Sequence, residues 1–170
     1  MARNVEIKAR LADLEATRAR VLALGPDRHE KLAQLDTFFR VPRGRLKLRK
    51  LGPASGELIF YERDDRIGPK LSRYAIHACD DPDALAALLG AALGVRGEVA
   101  KERDVYRVGR TRVHLDRVHG LGDFLELEVV LADGETAEQG EAVARDLLRA
   151  LAIPDAALVA VAYADLLFGG

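Results

Sequence analysis

The chain has 170 residues, with 26 Lys plus Arg against 27 Asp plus Glu, a net charge of −1, 49% apolar and 31% charged residues. That length and apolar content predict one folded domain over residues 1–170 with a substantial core, and exclude a disordered chain. The balanced charge speaks against a general nucleic-acid or membrane binder, and the single cysteine, Cys79, excludes an intramolecular disulfide.

Asn4 to Arg10 alternates strictly, with Glu6, Lys8 and Arg10 on one side and Val5, Ile7 and Ala9 on the other, so it predicts a strand. The charged N-terminus is no signal peptide, and the apolar run near Ala156 to Ala164 is too short to cross a bilayer, so a cytoplasmic location is expected. Asp13 is a candidate helix N-cap; Leu14, Val21, Leu22 and Leu24 follow at helical spacing until Gly25-Pro26. Residues 32–41 predict a strand, Pro42-Arg43-Gly44 a turn, and Arg45 to Lys50 the returning strand. A turn over Gly52 to Gly56 leads to a strand from Leu58 to Arg63, and after a loop Lys70 to Cys79 is extended again.

Asp81-Pro82 starts a helix whose apolar stripe is Leu85, Leu88, Leu89 and Leu93, stopped by Gly94. Strands over 95–108 and 111–118 flank the two-residue turn Gly109-Arg110. A further strand covers Phe124 to Leu131. Thr136 and Gln139 have capping-box spacing for a helix to about Ala152, and a last helix is expected from Leu158 to Phe168. About eight strands with short connections and four helices predict an α+β fold, a single large antiparallel sheet, curled or closed, with helices packed outside.

One face of these strands repeats Lys, Arg and Glu. Helices must cover the apolar face (Val5/Ile7, Leu46/Leu48, Val113/Leu115, Leu125/Leu127), which leaves the charged face opposite. In an open sheet that face is solvated; in a closed barrel it is a lumen, where charges persist only when paired or bound to a ligand or metal. Periodicity alone leaves both open.

Glu6-x-Lys8, Lys47-x-Arg49, Tyr61-x-Arg63, Lys70-x-Ser72-x-Tyr74, Lys101-x-Arg103, His114-x-Asp116 and Glu126-x-Glu128 occur in an order that resembles the CYTH family, or triphosphate tunnel metalloenzymes. The segments Asn4 to Lys8, Tyr61 to Arg63, Gly68 to Tyr74 and Tyr163 to Leu167 look most like its class IV adenylyl cyclase branch. The family signature is Glu-x-Glu-x-Lys; here Asn4 holds its first position, and Asn can ligate through its carbonyl but carries no charge.

The resemblance implies a closed eight-stranded antiparallel β-barrel forming a triphosphate tunnel, and an adenylyl cyclase converting ATP to cyclic AMP and pyrophosphate. A tripolyphosphate or nucleoside triphosphate hydrolase, and a non-catalytic polyphosphate or nucleotide binder, are the alternatives. It assigns Lys8, Lys47, Arg49, Arg63, Lys70, Lys101 and Arg103 to phosphate binding, with arginines gripping bidentately and lysines acting as point charges. It assigns Glu6, Glu126 and Glu128 to Mg²⁺ or Mn²⁺, and catalytic roles to Glu6, Lys8, Asp116 and Glu126. Asp116 would ligate metal or orient a lysine. The partner is then a nucleoside triphosphate or inorganic polyphosphate, with no nucleic acid and no membrane; a homodimer is compatible with this.

The plainer expectations stand beside these. Glu6/Lys8 as a surface cross-strand pair contributes under about 1 kcal/mol. Arg43, Arg45 and Lys50 read as solvated charge, and RNA binding through that segment lacks aromatic stacking partners. His114 reads as a hydrogen-bonding wall residue, His29, His77 and His119 as surface residues, and Cys79 as buried filler. Ser72 and Tyr74 contact ligand or make structural bonds. Gly120-x-Gly122 precedes a strand, not a helix, so it is no phosphate loop.

Overall fold

A computed structural model describes residues 2–169. Every residue from Asn4 to Ala9 is buried, on both sides of the first strand. A strand in an open two-layer sheet keeps its polar side wet, so the burial of Asn4, Glu6 and Lys8 reports an enclosed lumen.

The eight strands are β1 (Ala2–Arg10), β2 (Arg28–Phe39), β3 (Arg45–Gly52), β4 (Ser55–Arg63), β5 (Lys70–Cys79), β6 (Val95–Val108), β7 (Thr111–Val118) and β8 (Gly122–Val130). They run antiparallel in the order β5-β4-β3-β2-β6-β7-β8-β1, and β1 pairs with β5 from Ala2↔Tyr74 to Glu6↔Lys70, closing the barrel. A two-residue strand, β9 (Leu158–Val159), continues that edge of β1 at Lys8↔Val159 and Ala9↔Leu158.

Helices α1 (Leu14–Ala23), α2 (Pro82–Leu93), α3 (Ala137–Ala150) and α4 (Tyr163–Phe168) lie outside the wall. The caps follow the sequence signals. Asp13 accepts from Ala16 N at 2.9 Å, Asp81 from Ala84 N at 3.0 Å, and Thr136 and Gln139 form a reciprocal capping box. The main core joins the outer faces of β1, β7 and β8 (Val5, Ile7, Val113, Leu115, Leu125, Leu127) to Leu14 and Val21 of α1 and Ala144 and Leu148 of α3. A second cluster, with Phe38, Val99, Phe124, Tyr163 and Ala164, seats α4 across one end of the barrel.

Several expectations need correction. The last helix does not begin at Leu158: a 3-10 turn (Asp155–Ala157) and β9 precede α4, because residues 158–159 complete a sheet edge that β5 has left. The Leu stripe of α2 is only partly covered: Leu85 and Leu89 are half-buried where α2 meets β2, β3 and β4, while Leu88 is 66% and Leu93 37% exposed. Leu22 of α1 is likewise exposed. Cys79 is half-buried at the end of β5, not filler in the core. No helix among the described residues is long and apolar enough to cross a membrane.

Candidate active site

Strand alternation points Lys8, Lys47, Arg49, Arg63, Lys101 and Arg103 into one cavity of about 480 Å³ inside the barrel. Six cations converging without compensation would repel strongly at low dielectric, so each needs a partner. Asp36 on β2 supplies three. Its carboxylate accepts from Lys47 at 3.2 Å, from Arg49 Nε and Nη2 at 2.9 and 3.0 Å, and from Lys101 at 3.0 Å. Burial works to raise the Asp36 pKa, but Lys101, Lys47 and Arg49 together hold it well below the ordinary carboxylate range. Burial pulls the Lys101 ammonium down to about 7, with Asp36 opposing.

Arg103 is held more tightly. Its Nε and Nη2 reach the two oxygens of Asp116 at 2.6 Å each, and Nη2 also reaches Glu126 at 2.8 Å. Arg63 donates to Glu6 at 2.6 Å. Lys8 Nζ sits 3.8 Å from the centroid of the Tyr163 ring, a cation–π contact that leaves its protons available.

The carboxylates are interleaved with these cations, Glu126 being the register partner of Lys8 on the neighbouring strand. His114, Glu126 and Glu128 bring one ligand atom each to within 4.8 Å of one another. Glu126 and Glu128 are held below the usual carboxylate value; burial opposes this, but Lys8 acts on Glu126 and His114 on Glu128 to keep the charge. Glu6 shifts the other way: burial raises it, with Arg63 opposing. Asn4 Oδ1 is buried without a hydrogen-bond partner, on the strand that pairs Glu6 with Glu128. Two carboxylates and a ring nitrogen form a donor set that fits a hard divalent cation, and the orphaned Asn4 carbonyl belongs to a residue lining the same cavity. His114, Glu126 and Glu128 thus form a compact group, and Glu6 on the neighbouring strand is bonded to Arg63.

Two predicted residues are not on the cavity wall. Lys70 occupies a lumen-facing register but bends away, donating to the carbonyls of Arg66 (3.2 Å) and Ala160; burial, then Arg63, lowers its pKa to about 8. Asp116 lies behind Arg103, its oxygens accepting from that guanidinium at 2.6 Å and from the Tyr163 hydroxyl at 2.8 Å. Ser72, Tyr74 and His114 do line the cavity. Arg45 is not solvated: it pairs with Asp65 at 2.6 Å and Asp165 at 3.1 Å, tying α4 to the barrel end. His77 and His119 are exposed. His29 is at the surface but ordered, stacked on Tyr106 and bonded to Asp104 at 2.8 Å.

Sequence reasoning missed Asp36, Gln34, Arg112 and Tyr163 as wall residues. Gln34-x-Asp36-x-Phe38 on β2 alternates like the other strands and could have exposed the first two. Tyr163 lies in a segment that carries the family resemblance, but its place on the wall follows from the seating of α4 at the barrel end.

The CYTH domain profile matches residues 2–163. The chain is 29% identical over 173 residues to "Adenylate cyclase CyaB" of Aeromonas hydrophila, covering 96% of this chain and 87% of that one. It superposes on the PH1012 protein of Pyrococcus horikoshii OT3 with a TM-score of 0.86 at 23% identity, covering 96% and 98% of the two chains. It also superposes on a putative adenylyl cyclase from Hippeastrum, a protein with a dominant triphosphatase activity, with a TM-score of 0.62 at 19% identity over 98% and 94%.

Proposed function

The chain belongs to the CYTH domain family, and we propose from this that it is a metal-dependent enzyme acting on a triphosphate, with cyclisation of ATP to 3′,5′-cyclic AMP and pyrophosphate as the first reading. The observation that carries it is the convergence of Lys8, Lys47, Arg49, Arg63, Lys101 and Arg103 on one cavity facing Glu126 and Glu128. A triphosphate brings about four negative charges, more than any one cation can balance, and a ring of cations in a low-dielectric lumen suits it. His114, Glu126 and Glu128, on the cavity that Asn4 also lines, would hold Mg²⁺ or Mn²⁺. Such an ion, when bound, supplies Lewis-acid stabilisation of phosphoryl charge.

The chain's own residues do the rest. Lys8 and Arg103 neutralise phosphate oxygens, and Asp116 keeps Arg103 in one rotamer so that no reorganisation is needed. Lys47, Arg49 and Lys101, pre-assembled by Asp36, offset the charge that builds on departing pyrophosphate. Cyclisation and hydrolysis differ in which phosphorus faces a nucleophile, a ribose 3′-oxygen or water. The likeness to the Aeromonas cyclase supports the first. The triphosphatase activity of the Hippeastrum protein supports hydrolysis as the second reading, and Asn4 in place of a signature carboxylate supports a non-catalytic binder as the third.

Incubation of the purified chain with ATP and Mg²⁺ or Mn²⁺, followed by product identification, tests both. Cyclic AMP with pyrophosphate is expected; orthophosphate without cyclic AMP favours the hydrolase, and binding without turnover favours a non-catalytic domain. Glu126→Gln should lower turnover by at least about 100-fold while the fold persists, as loss of a charged transition-state contact does.

A further inference from the structure

A helix laid on the outside of a barrel has one side for the wall and one for water. The water side of α1 carries Glu15 and Arg20, and that of α3 carries Arg145, Asp146 and Arg149. On α2 the corresponding side has no such residues: from Ala84 to Val95 the chain has no charged side chain. Leu85, Ala86, Leu89 and Gly90 are half-buried where α2 meets β2, β3 and β4, while Ala84, Ala87, Leu88, Ala91 and Ala92 are exposed. A helix that is apolar all round is normally covered all round. Val95, 45% exposed, extends the patch, since a Cβ at Gly90 would lie 3.3 Å from its Cγ2. Charge marks only the two ends of α2. Asp80, Asp81 and Asp83 stand at its start, where Asp83 accepts from Lys50 at 2.6 Å. At its finish stands the exposed Arg40, whose backbone N donates to the Gly94 carbonyl at 3.0 Å.

We infer that this face seats a second copy of the chain, with the two α2 helices crossing antiparallel at Leu88 on a two-fold axis. The inference does not depend on the triphosphate reading. Leu88 is equidistant in sequence from Asp83 and Leu93, so a crossing there sets Asp83 of each copy level with Leu93 of the other and beside its Arg40. Two acid–base contacts result, related by the axis, and the opposed macrodipoles agree with them. A parallel crossing would instead set acids against acids. The alanines flanking Leu88 let the two helices approach to about 8 Å. A stable dimer covers about 800 Å² of each copy, and a strip of about 18 by 10 Å on α2 supplies only part of that. The remainder lies alongside. Outside β2, β3 and β6 runs an open groove of about 600 Å³, with Ala33, Leu35, Leu51 and Ala100 in its wall, and the Lys50–Asp83 pair joins it to α2. A lipid surface suits α2 less well: helices that lie on anionic membranes flank their apolar side with Lys and Arg, and α2 itself carries only an acid.

Analytical ultracentrifugation of the full chain across micromolar concentrations tests this. Twice the monomer mass is expected. Leu88→Glu, at a position exposed enough for the fold to accept a charge, should raise the dimer dissociation constant at least about thirtyfold, as loss of a central apolar anchor does. Arg40→Asp alone should weaken the dimer, and Arg40→Asp combined with Asp83→Arg should restore it, because the acid–base pair is then exchanged as a whole. Leu88→Cys in a Cys79→Ser background should give a covalent dimer on oxidation by dioxygen with a copper catalyst, since a side chain on a two-fold axis meets its own copy. If circular dichroism shows that Leu88→Glu does not fold, the cross-link decides. A monomer at every concentration overturns the inference, whether or not it then adheres to anionic vesicles. A dimer that a folded Leu88→Glu leaves intact, or the absence of the cross-link, overturns it too. A dimer weakened by Arg40→Asp and not restored by the exchange overturns the antiparallel crossing.

Discussion

At the residue scale, Asp36 and Lys101 carry the most information. Asp36 gathers three cations that would otherwise repel, and burial lowers the pKa of the Lys101 ammonium to about 7. With its pKa near 7, Lys101 is largely neutral at pH 8 in the free protein. A bound triphosphate adds negative charge nearby and raises that value, so binding at pH 8 should take up close to about one proton. The sign follows: affinity is highest below pH 7 and falls as pH rises from about 7 toward 9. Calorimetry in buffers of different ionisation enthalpy measures the uptake, and Lys101→Arg, which cannot lose its proton, should abolish it. Persistence of the full uptake in that variant would assign the proton elsewhere. That His114 and Asp116, and Glu126 and Glu128, each share a strand face was legible from alternation; their roles were suggested only by the family resemblance. Asp36 was legible in principle and overlooked, and the inward turn of Tyr163 was not legible at all.

At the element scale, α3 shows how closely helix and barrel approach. A Cβ at Gly140 would come within 2.7 Å of Leu131 Cδ2 and 2.8 Å of Val5 Cγ2. Two effects oppose one another in Gly140→Ala. Helix propensity gains up to about 1 kcal/mol, and overpacking against a rigid wall costs about 1–3 kcal/mol. Val5 is fully buried in a strand paired on both edges and cannot yield, so net destabilisation is expected. Urea unfolding of the two proteins decides it, and a more stable variant would show that α3 can slide. Strand and helix identities followed from periodicity and caps, because those forces are local: the capping box at Thr136 and the Pro82 start lie where the sequence signals them. Residues 158–159 misled, since an apolar run of that length satisfies a helix as readily as a strand, and only the vacant edge of β1 selects between them.

For the whole molecule, closure converts a charged sheet face into a binding cavity. A ligand that engages those cations binds only the folded state. At a concentration one hundred times its Kd, such a ligand stabilises by about 2.7 kcal/mol, or roughly 5–10 °C in Tm for a chain of this size. A thermal melt with ATP and metal should show that rise, and sodium chloride at matched ionic strength should give little of it. A rise matched by the salt alone would mean that the cations are merely screened.

Alternation along each strand settled which residues share a face, and the caps settled where helices begin, because both depend on neighbours within a few positions. The order of paired charges was enough to suggest a family whose profile the chain matches from residue 2 to 163. Whether the charged face meets water or itself depends on five residue pairs between β1 and β5, more than sixty positions apart in the chain. Which acid meets which base inside, Asp36 with three cations, Asp116 with Arg103, Lys70 with loop carbonyls, depends on side chains from opposite walls. Those contacts exist only once the barrel has closed, and no local pattern encodes them.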